Sequence, residues 1–309
     1  MTPRVASVVV DFNGIADTLR CVESLLVMSV PGHVVIVIDN GSVDDVSNSM
    51  RAAFEDRVVV LRSERNEGYG AAANRGIRHA LDLGASYVWV LNNDTVVKPG
   101  SLGTLLHAMD EDPSIGIASP QIGAPIGPEA PEGVWFAGGT LQLWRGRIAH
   151  RRSAQPSDAA VVDVNFMTGC AMFIRREVFR TAGLFWEPLL LYWEDADLVL
   201  RTQRAGWRTC VVPSAWIFHQ VHGSVSESVA SYYGVRNALL VAWRNAGVPT
   251  VAAVTVFIVL RLARRWAEAL LRRRPAPLQA SRGMVAGYAL LARWTVQRRS
   301  RMDGIEVVA

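Results

Sequence analysis

Short unbroken apolar runs alternate with stretches of helical periodicity through the first part of the chain. Ala6–Val10, Val34–Ile38, Val58–Leu61 and Tyr87–Leu91 are continuous and rich in β-branched side chains, whereas Ala16–Val27, Val43–Phe54 and Ala71–Leu83 place apolar residues at helical spacing. Strands buried on both faces lose the in-and-out alternation, so this order predicts an α/β fold with a parallel sheet covered by helices. Ligands of such sheets bind beyond the carboxyl ends of the strands. The polar residues that follow each apolar run are therefore the first place to look for chemistry.

Beyond Pro99 the pattern is less regular. Ser101–Met109 reads as a helix, and Gly116–Gly133, rich in Gly and Pro, as a loop. Val134–His150 suits a hairpin and Asn165–Arg175 a buried strand. Glu177–Ala182, Ala196–Ala205 (closed by Gly206) and Tyr232–Asn245 read as helices. Ala246–Leu260 is uncharged and apolar, contains Pro249, and is flanked by Arg244 and by Arg261, Arg264 and Arg265. A membrane span needs roughly 20 apolar residues. This shorter stretch predicts a helix lying at a membrane interface, with Met284–Gln297 as a second one. The competing reading is a helical hairpin packed on the rest of the protein. Residues 1–245 are thus expected to form the main domain and 246–309 a basic, apolar helical tail.

Charge sharpens that division. From Arg244 onward, twelve arginines stand against Glu268, Asp303 and Glu306, a local balance of +9, which leaves −5 for the rest of a chain whose total is +4. An acidic body with a basic tail predicts an anionic partner for the tail. Because the tail is also apolar, a phospholipid surface fits and nucleic acid does not. Half of the residues are hydrophobic and 19% are charged, which excludes disorder. Cys21, Cys170 and Cys210 are odd in number and lack metal-site spacing, so a reducing, cytoplasmic compartment is expected, at the inner face of the cell membrane. Val8–Val10 is too short for a signal-peptide core and reads as a first strand.

Polar groups follow three of the four runs: Asp11 and Asn13, then Asp39-Asn40-Gly41-Ser42, then Asn92-Asn93-Asp94. Each alone is a good turn former, but their recurrence at successive strand ends points to a ligand site. A carboxylate such as Asp39 can accept a pyrimidine N3–H or a ribose hydroxyl, and one such as Asp94 can hold a hard divalent cation beside diphosphate oxygens. Between them, Asn66-Glu67-Gly68-Tyr69-Gly70 lets backbone approach a ligand and opens a helix whose N–H groups face it. Glu194-Asp195-Ala196-Asp197 opens another helix, where the macrodipole favours acids. Asp197 stands four residues before Arg201, the spacing of a helix-face ion pair, and reads as structural. Trp135, Trp144 and Trp193 suit either stacking on sugar rings or ordinary core packing.

The ordered set I-D-N-G-S (38–42), N-E-G-Y-G-A-A-A-N-R-G (66–76), L-N-N-D-T (91–95), G-C-A-M-F-I-R-R (169–176), L-Y-W-E-D-A-D-L (191–198) and R-A-G-W (204–207) resembles the family 2 inverting glycosyltransferases, and within them the rhamnosyltransferase-like branch. The resemblance covers roughly residues 5–245. It implies a GT-A fold, a Rossmann-like nucleotide-binding sheet fused to an acceptor-binding half. It also implies a nucleotide-diphosphate sugar donor held by Asn13, Asp39, Asn66, Gly68, Asn74 and Asn93, and Mg2+ or Mn2+ at Asp94, completed by His219 rather than His222. Asp195 becomes the catalytic base, with Glu194 undecided. The donor implied is dTDP-rhamnose, with UDP-hexose or UDP-galactofuranose as alternatives, and the acceptor a glycan or lipid-linked glycan. Two departures stand out. Asn92 and Asn93 replace acids common in the family, and Trp186 stands where an aspartate is usual. A sugar nucleotidyltransferase would need a G-x-G-T/S-R loop after the first strand, which Asp11-Phe12-Asn13-Gly14 is not. A silent nucleotide-sugar-binding protein is opposed by the presence of both Asp94 and Asp195.

Overall fold

The computed structural model describes residues 4–28, 30–124, 133–156, 159–220, 226–272 and 275–296. Strands β1 (Val5–Asp11), β2 (His33–Asp39), β3 (Val58–Arg62) and β4 (Tyr87–Asn92) form the expected parallel sheet. They alternate with helices α1 (Ile15–Leu26), α2 (Val46–Phe54) and α3 (Tyr69–Asp82). Every residue of β1 is buried, which explains its unbroken apolar run. α2 starts three residues later than its apolar pattern, because Asp45 caps it by accepting the Asn48 N–H at 2.9 Å.

The sheet continues on the β4 side. After β5 (Thr95–Val97) and α4 (Ser101–Glu111) comes β6 (Ile115–Ala124), buried throughout. This corrects the loop expected over 116–133; residues 125–132 lie outside the described set. The Gly and Pro residues that suggested a loop serve packing instead. A Cβ on Gly116 would meet Trp207 at 2.7 Å and one on Gly123 would meet Phe218 at 2.9 Å, and Pro120 sits where the register with the neighbouring strand shifts. β7 (Gly133–Phe136) pairs with β6, so the hairpin expected over Val134–His150 is confined to β8 (Gly139–Gln142) and β9 (Arg147–His150). β10 (Val162–Asp163) and β11 (Ala171–Arg175) follow, the latter shorter than the strand expected from Asn165 and antiparallel to β4 and β6. α5 (Arg176–Thr181), α6 (Glu194–Arg204) and β12 (Arg208–His219) complete a ten-stranded mixed sheet.

The remaining helices are α7 (Glu227–Arg272) and α8 (Leu278–Val296). α7 is broken at Gly247, whose φ of +74° leaves the helical region just before Pro249. Its first part is buried at Ala238–Ala242. Beyond the break Val256, Val259, Leu260, Leu270 and Leu271 are exposed, and the segment is long and apolar enough to cross a membrane. α8 folds back on α7, where a Cβ on Gly283 would overlap the Tyr232 carbonyl and one on Gly287 would press on Leu239. Met284–Gln297, expected as a second interfacial helix, falls mostly in α8, which packs on α7.

Candidate active site

Asp11 and Asp39 end adjacent parallel strands in register, and Asp39 is in turn the register partner of Arg62. Asp11 is fully buried and saturated. Its Oδ1 accepts from the Thr18 hydroxyl, the Gly14 N–H and Asn93 Nδ2, and its Oδ2 from the Ser42 hydroxyl. Asp39 Oδ1 accepts the Ser42 N–H at 2.8 Å. Its Oδ2 makes no hydrogen bond and lies 3.1 Å from the guanidinium of the exposed Arg62, which covers it from the solvent side.

The asparagines singled out in the sequence brace loops. Asn13 accepts the Val43 N–H through Oδ1 at 2.8 Å. Asn93 also donates to the Gly14 carbonyl and the Thr18 hydroxyl. Asn66 accepts the Gly68 N–H and the Asn40 side-chain N–H. Asn74, buried on α3, donates to the Phe185 carbonyl and to Glu187 and accepts the Phe185 N–H. Gly68 has φ +90°, and a Cβ there would overlap Leu190, whose carbonyl accepts the Tyr69 N–H at 2.8 Å. The glycine-rich turn and the loop before α6 therefore touch.

Asp94 and His219 meet as the sequence predicts, with His219 Nε2 3.0 Å from Asp94 Oδ2. Backbone pairing of β5 with β12 sets this approach, Thr95 lying opposite His219. Both side chains are nearly buried, and His219 Nδ1 has no hydrogen-bond partner. The Trp135 ring packs edge-on against the imidazole, with centroids 4.7 Å apart. A carboxylate oxygen and an imidazole nitrogen facing one another fit Mg2+ or Mn2+. Among the described residues no third His, Cys, Asp or Glu joins them. His222 lies outside the described residues.

Glu194 and Asp195 open α6 after a stretch of unusual backbone: Leu190, Tyr192 and Trp193 all have φ between +63° and +74°. Such conformations cost about 1–3 kcal/mol each in ordinary residues and persist only where the surroundings impose them. Burial, and then the charge of Asp195, push the Glu194 carboxyl up to about 8, and its Oε2 has no hydrogen-bond partner. Burial also raises Asp195, against the N–H groups of Gly169 (2.9 Å) and Ala196 (2.7 Å) that favour its carboxylate. Burial thus favours a proton on the pair, most strongly at Glu194, while the N–H groups at Asp195 favour the carboxylate there. Asp195 is also the partly exposed one. The hydroxyl of Tyr69 donates to the Gly169 carbonyl at 2.9 Å, and burial and the charges of Glu194, Asp195 and Asp94 hold it protonated. Tyr69 thus stands among all three carboxylates, a position that only the small-residue motif around it could have signalled.

Helix α7 fastens the strained loop. Asn237, fully buried, donates to the carbonyls of Leu189, Leu191 and Tyr192, and Arg236 to those of Pro188 and Leu189. Sequence reading missed both. Asp197 is structural as expected, paired with Arg201 at 2.9 Å and accepting from Asn245 on α7. Trp186 is buried under Arg244 and against Trp294 of α8, so the residue that departs from the family pattern ties this loop to the helical hairpin. Of the other tryptophans, Trp193 is buried and Trp144 is half exposed against Phe257.

The glycosyltransferase-like family 2 model matches residues 3–269. The N-acetylglucosaminyl-diphospho-decaprenol L-rhamnosyltransferase of Mycobacterium tuberculosis is 30% identical over 236 residues, 69% of this chain and 76% of the relative. The dTDP-rhamnosyl transferase RfbF of Shigella flexneri is 22% identical over 223 residues, 68% of this chain and 71% of that one. Among solved structures, GalNAc-T7 with UDP, GalNAc and Mn2+ is similar in fold at a TM-score of 0.64 and 18% identity, over 99% of this chain and 58% of that one. Strand-end carboxylates on a parallel half-sheet, an acidic helix start facing them and these relatives converge: the chain belongs to the family 2 glycosyltransferases, in their rhamnosyltransferase-like branch and with a GT-A fold, and is a nucleotide-sugar glycosyltransferase.

Proposed function

We propose that the chain moves L-rhamnose from dTDP-rhamnose, with inversion, onto a hydroxyl of a lipid-diphosphate-linked glycan at the inner face of the cell membrane. Residues 1–245 carry the transfer and 246–309 meet the membrane, with the first part of α7 shared between the two. The Glu194–Asp195 pair carries this reading: two adjacent carboxyls at a helix start, both raised by burial, with the partly exposed Asp195 favoured as carboxylate by the Gly169 and Ala196 N–H groups, suit a general base. Asp195 takes the proton of the acceptor hydroxyl as that oxygen attacks the anomeric carbon. Asp39 and the loops braced by Asn13, Asn66, Asn74 and Asn93 form the nucleotide pocket, with Arg62 moving aside or turning toward the diphosphate. Asp94 and His219 would hold Mg2+ or Mn2+, which when bound supplies charge neutralisation for a departing diphosphate. The donor and acceptor rest on the names of the two rhamnosyltransferase relatives, and the membrane on the exposed apolar, arginine-flanked part of α7.

The test is transfer from dTDP-rhamnose, UDP-glucose and UDP-galactofuranose to N-acetylglucosaminyl-diphospho-prenol, with and without Mn2+, with the product's anomeric configuration read by NMR. Transfer from dTDP-rhamnose with inversion supports the reading; preference for a UDP-sugar overturns the donor, and retention overturns the base.

A further inference from the structure

Away from the carboxylates, the turn between β8 and β9 meets α7 in an unusual concentration of positive charge. Arg145 and Arg147 flank Gly146 on the turn, and Arg261 and Arg265 lie one helical turn apart on α7. Arg261 donates to the carbonyls of Arg145 and Gly146 at 3.4 Å. Arg145 is held between the rings of Trp144 and Phe257, 5.3 and 5.0 Å from their centroids. Among the described residues no ion pair joins Arg145, Arg147 or Arg261 to a carboxylate, while Arg265 lies 3.9 Å from the exposed Glu227. Like charges gathered without a counter-charge are unfavourable. Burial, and then Arg147 and Arg145, lower the proton affinity of Arg261.

Two hollows of about 170 Å³ open on this cluster, one lined by Gly146, Ser231, Gly234, Arg261 and Arg265 and the other by Thr140, Gln142 and Arg147. Gly234 leaves open space there, whereas Gly146 (φ +54°) is packed against Val254 and Ala238. One side of the cluster continues into the exposed apolar residues Val256, Val259 and Leu260 of α7. The other leads to the site: three residues of β9, about 10 Å of extended chain, separate Arg147 from His150. The His150 ring meets Trp135 (5.1 Å), and Trp135 meets His219.

We propose that Arg145, Arg147, Arg261 and Arg265 form an acceptor subsite that binds the diphosphate of a prenyl-diphosphate-linked glycan, with the prenyl chain along Val256, Val259 and Leu260 and the glycan directed past Trp135 toward Asp195. This deepens the proposed function and rests on its lipid-linked acceptor. Guanidinium forks match phosphate oxygens in geometry as well as charge, and an ordered diphosphate supplies the missing counter-charge.

Binding is measured without donor, by calorimetry in detergent micelles, with farnesyl diphosphate and farnesol as probes. The variants are Arg147→Gln/Arg265→Gln, both at exposed positions, and Arg51→Gln on α2 as a remote control. Wild type and the control are expected to prefer farnesyl diphosphate, and the double variant to bind it roughly tenfold more weakly while holding farnesol as before. Vesicles of phosphatidylglycerol and phosphatidylcholine separate the subsite from general attraction to headgroups, and the double variant should bind them as wild type does. In transfer assays its acceptor KM should rise with kcat little changed. Equal farnesyl diphosphate affinity in wild type and double variant would overturn the subsite, and so would a loss of vesicle binding as large as the loss of farnesyl diphosphate. Absence of transfer from any sugar nucleotide would instead overturn the proposed function, because the donor-free measurement stands apart from it.

Discussion

Two carboxylate regions of the molecule are built in opposite ways. At the ends of β1 and β2, Asp11 is saturated by four donors and Asp39 is held by the Ser42 N–H beside Arg62. At the start of α6, Glu194 keeps an oxygen without a hydrogen bond, burial raises both carboxyls, and the preceding loop with its three positive-φ residues is held by α7 through the carbonyls of Leu189, Leu191 and Tyr192. In the first region Asp11 is satisfied on both oxygens, and the one oxygen without a hydrogen bond, Asp39 Oδ2, is met by the Arg62 guanidinium at 3.1 Å. The second keeps unmet hydrogen-bonding capacity and strain, the marks of a site that completes itself on substrate.

Removing a hub from the first region should cost the most stability. Asp11→Ala removes the buried acceptor shared by Gly14, Thr18, Ser42 and Asn93 and is expected to lower unfolding free energy by about 3–5 kcal/mol in urea titrations. A loss below about 1 kcal/mol would place Asp11 outside the frame. Asn237→Ala attacks the grip on the strained loop. Leaving the Leu191 and Tyr192 carbonyls without this donor should cost about 2–3 kcal/mol and lower kcat in the protein that still folds, while donor affinity holds. An unchanged kcat would mean that the loop keeps its shape unaided.

Glu194→Gln tests the proton that the second region holds. The carboxyl binds its proton more tightly folded (to about 8) than unfolded (4.5), so it favours folding below the unfolded value and loses that contribution as pH rises toward 8. A tenfold difference in proton affinity is worth about 1.4 kcal/mol, and each 1 kcal/mol moves the Tm of a protein this size by about 2–4 °C. The wild-type Tm should therefore fall by several degrees between pH 5 and pH 8, and Glu194→Gln should flatten that slope. Parallel slopes would show that Glu194 ionises as an ordinary carboxyl. The smallest effect belongs to Arg62→Ala. Its exposed pairing with Asp39 contributes at most about 1 kcal/mol, so Tm should barely move while affinity for dTDP changes.

How much of this was legible in the sequence follows from the range over which each feature is determined. β1, β2 and β4 show themselves because burial on both faces writes an unbroken apolar run, and β3, at the sheet edge and only partly buried, shows itself by its β-branched run. The Asp94–His219 meeting was implied by the family resemblance alone, and the Asp197–Arg201 pairing by its four-residue spacing. β6 was hidden because Gly116 and Gly123 are small to admit Trp207 and Phe218, side chains some ninety residues away in the chain. The same distance hides the loads on Asn74, whose partners are Phe185 and Glu187, and on Arg236 and Asn237, which look like polar residues on an ordinary helix. Glu194 and Asp195 are adjacent acids of the same helix start, and only burial by distant segments separates their roles.

The division between the two regions turns on Asp195, and one comparison tests it most directly: transfer rate at saturating donor and acceptor for Asp195→Asn, with donor affinity and Tm measured on the same preparation. The amide keeps the shape of the side chain and removes the base. The expected result is a kcat lower by about 10²–10⁴-fold, with donor affinity and Tm close to wild type. Turnover near the wild-type rate in a folded Asp195→Asn protein would contradict it and move the base elsewhere, Glu194 being the nearest carboxyl.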